Sequence, residues 1–442
     1  MLKRILNDNH FLSLSTNGFT ALFGLLSFML IARVYDTLDF GWWVLYLAGF
    51  SFVEMLKSGL IHGALVKFLA GVSHEEKKVV IGSSWMIGLV LNMLVIGVIY
   101  LAFYLFPEKI EAAGMWLFFK YYPLLALVNI PINYTNWISQ AQEGFNYILR
   151  IRLGLAAAFL IVVAGNLWMS YPVETLVQYH IMLHLALAIF LVIRKKSGLQ
   201  YLRYYKMDKC RQLFHFGKFS FGTLIGTNLL KSADTFLISF FLGPAFVAMY
   251  SVPLRLTEMI EIPLRSLVAN ALPKIAAASN RNDTQEVKNI FYMYAGILSI
   301  LFVPFMIFAF VFAEELVTLV GGAKYVDTAI IFRIFCIYGL FLSLDRFTGV
   351  TLDAINRPRY NLIKVIWMAL ANVAGDILVI VFIGEIWAVA LVTVLNVLVG
   401  VLVGYIFLKR CVDIQLNELL NESWAALKYW LKYRKKPVTD KT

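Results

Sequence analysis

Apolar runs long enough to cross a bilayer recur from one end of this sequence to the other. About 20 residues suffice at the helical rise, and about twelve such runs can be marked. They fall near 12–34, 40–58, 79–106, 115–139, 148–170, 174–193, 214–242, 246–272, 288–313, 327–350, 361–383 and 386–408. The composition agrees, with 60% hydrophobic and only 15% charged residues, far from that of a soluble globular domain. The expected fold class is an all-α polytopic membrane protein. No short apolar stretch with a small-residue cleavage site opens the chain, so the first run reads as a span and not as a removed signal.

A formal charge of +12 would suit a nucleic-acid partner, but its placement argues against one. Lys3 and Arg4, Lys67, Lys77 and Lys78, Arg150 and Arg152, Lys274, Arg281 and Lys288, and Arg357, Arg359 and Lys364 mark alternate connections. The connections between them carry mainly Glu108, Glu111, Glu174, Glu314, Glu315 and Glu385, with Arg33, Lys109 and Lys324 as exceptions. The positive-inside rule then places both termini in the cytoplasm. Between the halves, the basic and tyrosine-rich stretch Arg194 to Lys218 reads as an interfacial linker on anionic lipid, and the tail beyond 410 as a basic amphipathic helix. Cys210, Cys336 and Cys411 show no metal-ligand or redox spacing.

The stretch from Ala245 to Ile275 is apolar enough to span, yet it carries Arg255, Glu258, Glu261 and Arg265. At about 100° per residue these four share roughly one third of the helix circumference. A charge at mid-bilayer costs roughly 2.5–3.5 kcal/mol, so the four together must face protein or water. One reading is a packing network built on i,i+3 and i,i+4 pairs. The other is a face lining a transport cavity, favoured by Pro253 and Pro263, which kink or break the helix there. Further intramembrane charges are Glu54 and Lys57, Lys231 and Asp234, Asp345 and Arg346, and Asp376, which has no acid or base one turn away.

Sliding the chain on itself by about 207 residues lays Phe40 to Val44 on Val247 to Ser251, Ala64 to Lys67 on Ala271 to Lys274, and Glu54 on Glu261. A duplication follows, and an even number of spans per half makes the repeats parallel, around a central cavity. The expected layout is a six-helix half at 1–193, a basic linker at 194–213, a second six-helix half at 214–410 and a cytoplasmic tail at 411–442.

Ala32-Arg33 through Asp39-Phe40-Gly41, Gly63 to Phe68, and Phe241-Leu242-Gly243-Pro244 through Tyr250 to Leu272-Pro273 resemble two repeated signatures of the Wzx-type O-antigen flippases. These belong to the multidrug, oligosaccharidyl-lipid and polysaccharide exporter superfamily. The chain departs from the pattern at Asp36-Thr37, where the family has Gly-Pro, and at Asp234-Thr235, where Asp-Arg is common. The resemblance implies a V-shaped bundle whose cavity is lined by spans one, two, seven and eight. It further implies an undecaprenyl diphosphate-linked oligosaccharide as substrate, flipped from the cytoplasmic to the outer leaflet of a bacterial inner membrane. On that reading Arg255, Arg265, Lys231 and Lys57 serve the diphosphate, while Glu261, Glu54, Glu258, Asp376 and Asp234 serve coupling to protons or sodium ions. No catalytic residue, metal or cofactor is expected; anionic lipids and other polysaccharide assembly proteins are the expected partners. The alternatives are a multidrug exporter of the same fold, a lipid II flippase, and a membrane polymerase or ligase. Buried cations disfavour a cationic drug, and no nucleophile and base pair marks an enzyme.

Overall fold

The computed structural model describes residues 9–142 and 144–415, with side chains at 9–17 and 219–231 excepted. Twelve long helices occupy the described residues: α1 Asn9–Val34, α2 Thr37–Leu69, α3 His74–Leu105, α4 Trp116–Ala141, α5 Phe145–Met169, α6 Val173–Ile193, α7 Met207–Phe241, α8 Pro244–Asn280, α9 Thr284–Val311, α10 Ala329–Ala354, α11 Pro358–Phe382 and α12 Ile386–Val412. Each answers to one expected span, and among the described residues eight helices are long and apolar enough to cross a membrane on composition alone. Several helices overrun their apolar windows, because a helix stops at a capping residue whereas hydropathy stops where side chains turn polar. α2 begins at an N-cap, with the Asp36 carboxylate accepting from Asp39 N at 2.8 Å. It then continues through His62 and Lys67 to Leu69. The basic tail expected to form an amphipathic helix lies outside the described residues.

The repeat is visible in the helix boundaries. Thr37 and Pro244, which open α2 and α8, are 207 positions apart. Phe145 and Pro358, and Val173 and Ile386, are each 213 apart. The offset grows between α9 and α10, where a short helix Ala313–Gly321 and a 3-10 turn Ala323–Thr328 replace the single short helix Pro107–Ala112 of the first half.

Two compact units divide the chain, Met1–Met249 and Tyr250–Thr442. In the first, α2 packs along α3, α4 and α7, α1 along α5, and α4 along α6. Phe40, Trp43 and Tyr46 are buried, and the Trp43 ring stacks on Phe159 at 5.5 Å. Because the helix already starts at Thr37, its periodicity turns these aromatics inward. Gly217 on α7 lies directly against the Leu60 carbonyl of α2, an approach that any side chain would block.

The linker is built into this unit. Its 3-10 turn Leu199–Tyr204 lies on α3, where Trp85 Nε1 donates to Ser197 O at 2.9 Å and Lys206 N donates to Ser83 Oγ at 3.0 Å. Arg194, Lys195, Lys196, Arg203 and Lys206 remain exposed.

In the second unit α10 packs along α9 and α12, and α11 along α12. α8 stays helical past Pro253 and Pro263, and past Pro273. The helix is therefore not broken at these prolines, each of which removes one ladder bond without ending it. A π-helical turn, Tyr292–Gly296, interrupts α9. On α12, Gly400 and Gly404 are one turn apart. A Cβ on Gly400 would lie 2.6 Å from Met368 Sδ, and one on Gly404 would lie 2.8 Å from Thr348 Cβ. Leucine at Gly404 is expected to cost about 1–3 kcal/mol by overpacking, read as a lowered melting midpoint in detergent; an unchanged midpoint would mean that α12 does not need this approach.

Candidate functional site

Both intrahelical pairs expected on α8 are formed. Arg255 Nη1 donates to Glu258 Oε2 at 2.7 Å, and Arg265 Nη2 donates to Glu261 Oε2 at 3.0 Å. A third cation joins from α10, where Arg346 Nη2 reaches Glu261 Oε1 at 3.5 Å. The arginines are not sealed: the Arg265 and Arg346 side chains are 65% and 50% exposed, with Glu261 beneath them at 17%. The Arg255 and Glu258 side chains are each one third exposed. Pairing and exposure therefore coexist near the midpoint of a helix on which Val252, Leu256, Ile260 and Leu264 are buried, while the apolar Met259 and Ile262 are exposed beside the charges.

The charges of the first unit behave differently. Lys57 is ion-paired with Glu54 on the same helix and donates to Asn92 Oδ1 on α3 at 2.6 Å, with its ammonium 5.4 Å from the Tyr122 ring centroid. Asn133 Nδ2 on α4 donates to Glu54 Oε2 at 3.0 Å. With the Lys57 side chain only 6% exposed, this network ties α2, α3 and α4 together. Asp234 on α7 is also buried, and the Lys231 side chain lies outside the described residues.

Two further polar clusters lie in the second unit. Asp376 Oδ2 accepts from Asn372 Nδ2 on its own helix at 2.9 Å, and Asn372 Oδ1 accepts from Asn396 Nδ2 of α12, also at 2.9 Å. An amide at i−4, invisible to a search for acids and bases alone, thus supports this carboxylate. Lys364, which the sequence places among the loop cations of the cytoplasmic side, is buried two turns inside α11. Its Nζ lies 2.7 Å from Asp345 Oδ1 and 3.1 Å from Thr348 Oγ1 on α10. Its inward turn could not be read from the charge pattern, because a lysine near a span end can either enter water or meet an acid on the next helix.

Residues 30–330, more than half of the chain, match the family model described as polysaccharide biosynthesis protein. The chain belongs to the polysaccharide biosynthesis protein family. This family member is 22% identical, over 205 residues, to a protein of Haloferax volcanii named as a probable low-salt glycan biosynthesis flippase, Agl15. That match covers 46% of the chain and 43% of the relative, so the chain spans less than half of that protein's length in it. Among solved structures, an inward-facing multidrug resistance MATE family transporter of the MOP superfamily superposes with a TM-score of 0.76 at 14% identity, covering 89% of this chain and 94% of that one. Lipid II flippase MurJ in an inward closed conformation superposes at 0.72 and 15% identity, covering 96% and 93%. At such identities the likeness establishes the fold. The polysaccharide biosynthesis protein is a multi-pass helical membrane protein of the architecture shared by these transporters, as its sequence resemblance implied.

Proposed function

We propose that the protein is a flippase, not an enzyme, that moves an undecaprenyl diphosphate-linked oligosaccharide from the cytoplasmic to the outer leaflet of a bacterial inner membrane by alternating access. The observation that carries this reading is the half-exposed arginine and carboxylate face at the midpoint of α8. A diphosphate diester keeps about two negative charges, and a guanidinium bonds two oxygens at once in a fixed plane. Membership of a polysaccharide biosynthesis family and the name of the Haloferax volcanii relative support a glycan cargo. A cationic drug would be repelled by the same arginines. Lys57 and Lys231 complete the proposed set of diphosphate cations. Lys57 is closed on Glu54 and Asn92, so it acts only in a state that opens this network.

The test is reconstitution into liposomes with a lipid-linked oligosaccharide and a leaflet-accessibility assay, run with and without a proton or sodium gradient. Flipping above protein-free vesicles, accelerated by one gradient, is the expected result; no flipping under either gradient would overturn the reading.

Coupling is assigned to Glu261 or its repeat mate Glu54, with Glu258, Asp376 and Asp234 as further acids. One charge moved through 100 mV supplies about 2.3 kcal/mol, enough to bias a two-state carrier roughly 50-fold. Glutamine at Glu261 or Glu54, or both, is therefore expected to abolish the gradient's acceleration. Unchanged gradient dependence in both variants would move coupling elsewhere.

Topology is testable separately. Cysteines at 315 and 324 should react with an impermeant outer-face reagent, and cysteines at 195 and 206 should not. The reverse pattern would invert the direction of transport.

A further inference from the structure

The repeat offset makes the environment of Glu261 interpretable. Glu54 and Glu261 are 207 positions apart, like the starts of α2 and α8; Asn133 and Arg346 are 213 apart, like the ends of α4 and α10. In both units, then, a carboxylate on the second helix of the repeat accepts from the equivalent position on the fourth helix. What differs is the donor. In the first unit it is a neutral amide, and the intrahelical cation Lys57 is sealed, leaving a closed cluster of no net charge. In the second it is an arginine, Arg265 is the intrahelical cation, and the cluster carries one excess positive charge on two side chains that are half exposed or more.

One ammonium and one amide are enough to neutralise and hold the carboxylate of Glu54. A second arginine at membrane depth adds a cation that is costly to place there without an anion. The two guanidinium groups also divide the carboxylate between them, Arg265 on Oε2 and Arg346 on Oε1, each through one terminal nitrogen. A phosphoryl group presents a similar pair of oxygens. A guanidinium has five N–H donors, so each arginine retains further donors for a second phosphoryl group.

We propose that Arg265 and Arg346 form a receptor for a phosphate or diphosphate group, and that Glu261 is its resident placeholder, displaced when the ligand enters. The placeholder keeps two cations neutralised while the site is empty and returns to compete as the ligand leaves, which weakens binding and permits release. The identity of the ligand as the diphosphate of a lipid-linked glycan rests on the flippase reading; the receptor itself rests on the repeat comparison and the triad geometry.

The experiment is equilibrium binding of radiolabelled farnesyl diphosphate to the purified full-length protein in neutral detergent, with phosphatidylglycerol as a second ligand in the same micelles. Monodispersity is checked by size exclusion. R265A and R346A should each weaken diphosphate binding by about tenfold or more, and R346K by less, because the charge remains and the fork is lost. E261Q should tighten it about threefold or more, because the competent empty state no longer has to be opened. R333A, whose partner is Glu314, should bind like the parent. Tightening in E261Q together with weakening in R346A supports the receptor. Parental affinity in R346A and R346K, or weakened binding in E261Q, would overturn it and make the triad a packing contact, while the flippase reading, which also rests on Arg255, would stand. Arg346-dependent binding of phosphatidylglycerol with none of farnesyl diphosphate would keep the receptor and overturn the glycan diphosphate as its ligand.

Discussion

Alanine at Arg255 or at Arg265 is expected to abolish flipping of lipid-linked oligosaccharide in proteoliposomes while leaving membrane insertion intact. The two arginines are ten residues apart on α8, about 15 Å at the helical rise, too far to grip one diphosphate together. On the proposed flippase reading they act in succession, one towards each end of the path, and removal of either should interrupt it. Truncating one partner of a buried hydrogen-bonded charge pair, such as an arginine would form with a desolvated diphosphate in the path, typically costs about 2–5 kcal/mol, a rate loss of at least about 30-fold if it falls on the transport barrier. Lysine at Arg255 should retain partial activity, since the charge remains but the planar fork is lost. Glu258, 2.7 Å from Arg255, lies on the same helix, and removing one cation from an otherwise apolar span lowers the cost of inserting it, so insertion is expected to survive. If both alanine variants inserted normally and flipped at the parental rate, the charged face of α8 would be a packing network after all.

The largest effect on stability is expected at Lys364. Its side chain is 3% exposed and meets Asp345 at 2.7 Å, in a gap between α10 and α11 closed by Gly400 and Gly404 of α12. Breaking a buried pair by removing one partner leaves the other charge without compensation, which costs about 3–5 kcal/mol. K364A should therefore lower the melting midpoint in detergent and the folded yield sharply. The double variant K364M/D345A should recover much of the loss, because no charge remains buried. A midpoint for K364A equal to the parent's would show that Thr348 and water suffice to hold Asp345.

The charges on these helices fall into two groups in this structure. Lys364 with Asp345 and Lys57 with Glu54 are closed by neighbouring helices. Arg265, Arg346 and Arg255 remain open on one side although each has a carboxylate within reach. Charge alone does not separate these groups, since all lie in apolar helices. Exposure does, and exposure belongs to the packed structure.

Twelve helices and their order were legible in the sequence because a bilayer leaves a spanning segment little choice: its backbone must satisfy its own hydrogen bonds, and an apolar run of about 20 residues says where. The pairs Arg255 with Glu258 and Glu261 with Arg265 were legible for a similar reason, as separations of three and four residues meet on any helix. So was the duplication, through the shared offset of Glu54 and Glu261, and so was the resemblance to polysaccharide exporters that the family match bears out. Contacts between helices were not. Arg346 reaches Glu261 across 85 residues, Lys364 turns from an apparent loop cation into a buried partner of Asp345, and Trp43 stacks inside the first unit. Each depends on the rotation and depth of one helix against another, which are set by the sum of many small packing terms, such as the bare faces of Gly217, Gly400 and Gly404. Local sequence determines which groups must find partners in the membrane; only the tertiary packing decides which partner each finds, and whether the pair is sealed or left open.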